Sequence, residues 1–351
     1  MAKRKVGIIG HFGGNENITD GQTVKTKILY SELKKETNWD ISIVDTYYKK
    51  KNPIKLLINS MQCLFEARDV IILLSGNGMK LYFPILYFFS RFFHLRVYHD
   101  VIGGNLDSYV DRIPLFKRYL NSFMVNWVET KGLKERLMHR GVTNCTILPN
   151  FKRLNIICKE VLKVSSVPYR FCTFSRVMKE KGIEDAVTAV MQINKQHGKK
   201  CCTLDIYGMI EESYRVRFND LLDNTTEAIN YKGIVAFDKS VDVLKDYDAL
   251  LFPTYWMGEG FPGTIIDAFS AGLPVIATDW SSNAEIIANG VTGLIYPSLQ
   301  AKDLVSAILL LIDNPTLISK MKQSCILEAQ KYKPEVVVSE IISYIENDRS
   351  N

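Results

Sequence analysis

Two carboxylates, Glu259 and Asp267, bracket a loop built from Gly260-Phe261-Pro262-Gly263-Thr264. An apolar strand, Ala249–Pro253, runs into this loop. A helix is expected to open at it and to end at Gly272, ahead of another apolar strand, Pro274–Thr278. Backbone N–H groups around Gly263 and Thr264 then lie at a helix start, where they and the helix dipole favour an anion. Carboxylates accept hydrogen bonds from hydroxyls. A phosphate joined to a polyol satisfies both halves of the pattern, and a nucleotide-sugar is such a molecule.

Arg176 and Lys181 follow a strand end, Tyr169–Ser175, and precede a helix, Gly182–Gln196. Two cations five residues apart in a loop can clamp a diphosphate, Arg by its fork and Lys as a point charge. His99 and Asp100 close a further strand, before Val101-Ile102-Gly103-Gly104. After the first strand comes Gly10-His11-Phe12-Gly13-Gly14, where Gly13 and Gly14 allow the backbone to approach a phosphate or an acceptor hydroxyl. Gly21 and Lys25, near the next helix start, face the same task on the acceptor side. The glycine spacing is not the GxGxxG of dinucleotide folds, so a nicotinamide cofactor is not expected. Asp246-Tyr247-Asp248 resembles a DxD metal site but precedes a buried strand, and it reads as structural. Each residue has a plainer alternative: a solvated turn acid for Glu259, a first-turn acid for Asp267, surface charge for Arg176 and Lys181, and a packed imidazole for His99.

As a set, Glu259 and Asp267 with seven residues between them resemble the signature of the family-4 retaining glycosyltransferases of GT-B fold. Phe174-Ser175-Arg176-Val177-Met178-Lys179-Glu180-Lys181-Gly182 is similar to that family's Gly-Arg…Glu-Lys-Gly segment, with Ser175 in place of a customary Gly. Leu148-Pro149-Asn150 resembles the crossing between its domains. Asp267 stands where Glu is usual. The resemblance covers most of residues 95–345 and implies roles. Arg176 and Lys181 would hold the donor diphosphate, Glu259 with His99 would orient the sugar, and Asp267 would bind ribose hydroxyls. Asp100 is a weaker acceptor-side candidate. It also implies no cofactor and no essential metal, and an acceptor that is a polyprenyl-diphosphate-linked saccharide of bacterial capsule or exopolysaccharide assembly. A UDP-sugar is the favoured donor. Two rivals use the same donor residues: a GT-B-type nucleotide-sugar epimerase and a non-catalytic nucleotide-sugar-binding protein.

Strand-helix alternation along all 351 residues positions these groups. Val6–Ile9, Ile41–Asp45, Val70–Leu74, Arg96–His99 and Val125–Thr130 read as strands of one parallel sheet, and Ile147–Pro149 closes this half. Tyr169–Ser175, Thr203–Tyr207, Ile229–Tyr231, Ala249–Phe252, Val275–Thr278 and Leu294–Tyr296 read as a second. The expected fold is α/β, of GT-B type: two facing Rossmann-like doubly wound domains with ligands in the interdomain cleft. An acceptor domain would span 1–165 with a returning helix at 335–351, and a donor domain 166–334.

Charge divides the same way. Residues 1–170 carry 27 Lys and Arg against 14 Asp and Glu, whereas 171–351 carry 17 against 24. The basic half suggests an anionic partner. Lys49-Lys50-Lys51 with Lys55, the apolar helix Pro53–Phe65 and the aromatic run Tyr82–Phe93 point to an anionic membrane surface. Nucleic acid is not expected, because no recognition helix or stacking motif accompanies the charge. Seven scattered cysteines without CxxC spacing read as buried, reduced thiols. No signal-peptide pattern and no uncharged run of about 20 residues appears. A cytoplasmic protein, peripheral on the inner face of the membrane, is the expectation.

Overall fold

The computed structural model describes residues 3–16, 20–163, 166–297 and 300–347. Near-continuous apolar segments form the central strands, buried on both faces, and more exposed edge strands flank them. In the first sheet these are β1 (Lys5–Gly10), β2 (Asp40–Asp45), β3 (Asp69–Leu73), β4 (Arg96–Asp100), β5 (Val125–Val128) and β6 (Cys145–Ile147), in the order β2-β1-β3-β4-β5-β6. The second contains β7 (Tyr169–Phe174), β8 (Cys202–Tyr207), β9 (Ile229–Gly233), β10 (Ala249–Phe252), β11 (Val275–Thr278) and β12 (Gly293–Tyr296), ordered β12-β11-β10-β7-β8-β9. Every pairing is parallel.

Two compact units result. One comprises the described residues up to Arg153, together with Gly258–Phe261 and the chain from Lys333 on. The other comprises Leu154–Met257 and Pro262–Tyr332. The division precedes the expected join at 165/166, and it assigns the Glu259 loop to the first unit. Alternation along the first sheet sends Ile9, Val70, Ile72 and Val97 to one face, against Phe83 and Leu86. Ile8, Ile71, Leu73 and Tyr98 go to the other, against Leu29, Leu33 and the last helix's Val337 and Ile341. That last helix, Pro334–Asn347, also packs on helix Gly21–Glu36; residues 348–351 lie outside the described residues. In the second unit the main cluster joins helix Ile183–His197 to helix Ala301–Ile312 over the sheet.

Both sheets reverse their strand order once, between β1 and β3 and between β7 and β10. Connections leave such neighbours toward opposite faces, which opens a crevice at their carboxyl ends. In the second unit the segments emerging there are Ser175–Gly182 and Pro253 onward. In the first they are Gly10–Gly14 and Leu74–Gly76.

Three differences from the sequence reading have local causes. β6 starts two residues before the expected segment Ile147–Pro149, and its pairing runs on to Leu148, whose N–H donates to the Val128 carbonyl at 2.9 Å, until Pro149, which has no N–H, ends it. Helices Leu106–Arg112 and Leu115–Leu120 were not read; both are short and Pro114 lies between them. Of the seven free cysteines six are buried, but Cys158 is exposed. Among the described residues no single helix is long and apolar enough to cross a membrane.

One glycine is required to shape the crevice of the second sheet. Gly208, at φ +135°, sits so close to the Ser175 carbonyl that a Cβ would lie 1.7 Å from its oxygen. Gly208→Ala is therefore expected to lose about 3 kcal/mol or more in urea unfolding, by clash and backbone strain together. A loss under about 1 kcal/mol would contradict this packing.

Candidate active site

In the second unit the sequence-adjacent cations converge on one side chain. Arg176 Cζ lies 5.2 Å from the ring centroid of Trp256, and Lys181 Nζ lies 4.8 Å from the same ring. Arg176 is exposed whereas Lys181 is buried, with its ammonium also 5.6 Å from the Phe252 ring. Trp256 is in turn fixed by its carbonyl, which accepts a hydrogen bond from Trp280 Nε1 at 3.0 Å. Cation–π attraction holds two like charges near one another against their repulsion.

The two loops at the β7–β10 crevice are knitted together. Tyr255 N–H donates to the Glu180 carbonyl at 2.8 Å, and Thr254 Oγ1 donates to the same oxygen at 3.3 Å. Gly182, at φ +68°, lets the turn after Lys181 press against Pro253, whose oxygen lies 2.1 Å from where a Cβ would be. Helix Gly263–Ser270 begins here: Thr264 Oγ1 donates to the Phe174 carbonyl at 2.6 Å, two residues before Arg176. Pro262 occupies the N-cap, and no side chain caps the helix. Amides of Gly263 and Thr264 therefore lack the side-chain acceptor that most helix starts carry. The helix closes at left-handed Gly272, with Leu273 N–H bonded to the Ala268 carbonyl.

Asp267 departs from its expected setting. It is the fifth residue of the helix, beyond the first turn, and 3% exposed. Its Oδ1 accepts from Ser240 Oγ at 2.8 Å, which commits that oxygen to the protein. The Asp246/Asp248 pair is structural, as read. Asp246 pairs with Lys163, and Asp248 accepts from Arg170 N–H at 2.8 Å and Lys322 at 3.4 Å.

In the first unit Glu259 is buried, on a loop seated against two glycines. A Cβ on Gly104 would meet the Glu259 carbonyl at 2.3 Å, and one on Gly260 would meet Gly103 backbone at 3.0 Å. Phe261 N–H donates to Glu129 Oε2 at 3.2 Å, and Asn150 Nδ2 donates to the Phe261 carbonyl at 3.1 Å. Glu129, absent from the sequence reading, thus anchors this loop. Its other oxygen takes Lys25 Nζ at 3.0 Å, and Lys25 also donates to Asp100 at 2.7 Å. All three groups are buried. Burial pulls the Lys25 ammonium toward losing its proton, but the two carboxylates prevail and push its pKa up to about 12. Burial pushes Asp100 up to about 6 despite the same ammonium. Lys25 and Asp100 are therefore partners in a buried network rather than open acceptor contacts.

His99 requires a correction too. Neighbouring strand residues point to opposite faces, so Asp100 meets Lys25 while His99 enters the aromatic core on the other side. Its ring contacts Phe83 at 5.3 Å and Phe123 at 6.1 Å, and Nδ1 bonds Asn126 Oδ1 at 3.0 Å. Fully buried, it is placed to pack rather than to touch a sugar. The Gly13–Gly14 loop is likewise self-satisfied. Asp45, at the end of β2, accepts from Phe12 N–H and Gly14 N–H, each at 2.8 Å. Gly14, at φ +57°, lies against Tyr47, where a Cβ would come within 2.6 Å of the ring. Gly21 opens its helix with free space around its Cα.

Desolvation lowers the His99 pKa from the ordinary 6.5 to about 4. A depressed folded value means that the neutral ring stabilises the fold above pH 6.5, and that this contribution fades as pH falls toward 4. Between those values the wild type should lose about 3 kcal/mol more stability than His99→Phe. Urea melts at several pH values measure it; parallel pH profiles for the two proteins would contradict the burial.

Residues 159–332 match the family described as Glycosyl transferases group 1. An uncharacterized glycosyltransferase of Methanocaldococcus jannaschii is 21% identical over 224 residues, covering 63% of this chain and 54% of its own length. The N,N'-diacetylbacillosaminyl-diphospho-undecaprenol alpha-1,3-N-acetylgalactosaminyltransferase of Campylobacter jejuni is 28% identical over 110 residues, 31% of this chain and 28% of that protein. The chain thus spans about half, or less, of these curated relatives. Among solved structures, Anabaena HepE in complex with UDP and glucose superposes with TM-score 0.71 at 12% identity, covering 98% of this chain and 100% of that one. With its two six-stranded parallel sheets the chain has the GT-B fold, and its residues 159–332 are similar to the group 1 glycosyl transferases.

Proposed function

We propose that this chain is a metal-independent, retaining glycosyltransferase of the family-4 type, moving a sugar from a UDP-sugar to a lipid-linked saccharide. The observation that carries the reading is the pair Arg176 and Lys181, held on one indole beside an uncapped helix start. Negative charge grows on the β-phosphate as the sugar leaves, and preplaced cations stabilise it where it develops. UDP in the HepE structure supports the choice of nucleotide. The diphospho-undecaprenol in the Campylobacter enzyme's name supports the lipid-linked acceptor, and with it a place in surface polysaccharide assembly. Seven free thiols, one of them exposed, suit the reducing cytoplasm.

In the proposed step the bond from the anomeric carbon to the phosphate oxygen breaks while the acceptor oxygen bonds to the same face. The acceptor proton passes to the departing phosphate oxygen. Arg176, Lys181 and the amides of Gly263 and Thr264 take up the diphosphate charge. Glu259, with the Gly260-Phe261 backbone, orients the sugar hydroxyls. His99 has no part in it.

Arg176→Ala and Lys181→Ala should each lower kcat about a hundredfold or more in a transfer assay with UDP-sugars. Trp256→Ala, which removes the ring the two cations share, should weaken UDP binding by about 1–2 kcal/mol in calorimetry. Activity should survive EDTA, and proton NMR of the product should show the donor's anomeric configuration. An inverted product would remove the front-face route, and full activity of both alanine variants would remove the site.

A further inference from the structure

We propose that the outer face of helices Pro53–Glu66 and Gly76–Phe92 docks on an anionic phospholipid surface, with Arg91, Lys117 and Arg118 seating a lipid phosphate. This rests on the lipid-linked acceptor reading for its purpose, while the surface itself stands on geometry. Helix Pro53–Glu66 buries one stripe, Leu56, Ser60, Cys63 and Leu64. A helix covering a sheet should then turn a polar side outward. Instead Ile54, Leu57, Ile58 and Phe65 are exposed, Ile54 by 73% and Phe65 by 64%. On helix Gly76–Phe92 the outward residues are Leu81, Phe88 and Phe92, followed by Phe93, with Phe92 68% exposed.

Rings join the two faces. Phe65 lies 5.0 Å from Phe89 and 5.6 Å from Phe93, and Phe88 lies 4.9 Å from Phe92. Phe65, Phe88, Phe92 and Phe93 therefore form one continuous exposed ring cluster, unlike the single scattered residues that need no explanation. One turn apart on the same helix, Tyr87 and Arg91 are the immediate chain neighbours of Phe88 and Phe92. They line a depression of about 480 Å³ together with Lys117 and Arg118. Arg118 Nε donates to Tyr87 Oη at 2.7 Å, and its guanidinium lies 5.1 Å from that ring's centroid, so one cation of the three is fixed in place. At the opposite end of the surface stands exposed Lys55. Apolar, ring-rich surface edged by cations fits the headgroup boundary of an anionic bilayer. A second copy fits worse, because a twofold contact would set this patch, edged by the same cations, against itself.

The test is co-sedimentation of the full chain with vesicles of pure phosphatidylcholine and of equal parts phosphatidylcholine and phosphatidylglycerol. The wild type should partition strongly onto the anionic vesicles only, and added salt should weaken this. Arg91→Gln with Lys117→Gln should reduce partitioning about 30-fold. Phe88→Ser with Phe92→Ser should reduce it by more than about tenfold, with thermal melts and UDP calorimetry unchanged. No binding of the wild type to anionic vesicles, or unaltered binding of both double variants, overturns the proposal. Self-association in sedimentation velocity that Phe92→Ser abolishes, without lipid binding, overturns it in favour of a second copy. UDP calorimetry on the wild type reports separately on the donor site.

Discussion

Two cations share one indole, and much of the second unit is arranged to keep them there. Repulsion between Arg176 and Lys181 is offset by the Trp256 face, and a bound dianion would relieve it further. The positions follow from topology. Strand order reverses between β7 and β10, so the segments leaving them separate and their loops are free to converge over the crevice. Bonds from Tyr255 and Thr254 to Glu180, and from Thr264 to Phe174, then tie cation loop, indole loop and helix start into one piece. Glycines 182 and 208 are the places where this closeness excludes any side chain.

In the first unit the organising interaction is different. Lys25 lies between Asp100 and Glu129, and Glu129 extends the network to the Phe261 amide. One ammonium between two carboxylates leaves a net negative, desolvated group, which explains why Asp100 holds its proton more tightly than an ordinary aspartate. Such a network tolerates no missing member, because each removal strands a buried charge. It positions the Glu259 loop by its backbone.

Segments whose physics is local were legible in the sequence. Strands buried on both faces show as apolar runs and were legible, whereas the short, half-exposed edge strand β6 showed only as the segment closing its half. The placement of Arg176, Lys181 and Thr264 beside one crevice was legible because strand-end loops and helix starts carry their own signals. Glu129 was not: its partner Phe261 is 132 positions away, and a lone Glu after an apolar strand carries no mark. Trp256 carries no mark of its own either, since its meaning depends on two cations over 70 residues upstream. His99 and Asp100 show a different limit. Adjacent strand residues must face opposite ways, but only the sheet's packing decides which of them meets the phenylalanines and which the lysine.

The central claim is that the guanidinium, the ammonium and the uncapped helix amides form a single diphosphate site. A crystal structure with UDP bound tests it most directly. Diphosphate oxygens should lie within hydrogen-bond reach of Arg176, Lys181 and the N–H groups of Gly263 or Thr264. A UDP whose phosphates rest elsewhere, with Arg176 and Lys181 still against Trp256, would contradict the account.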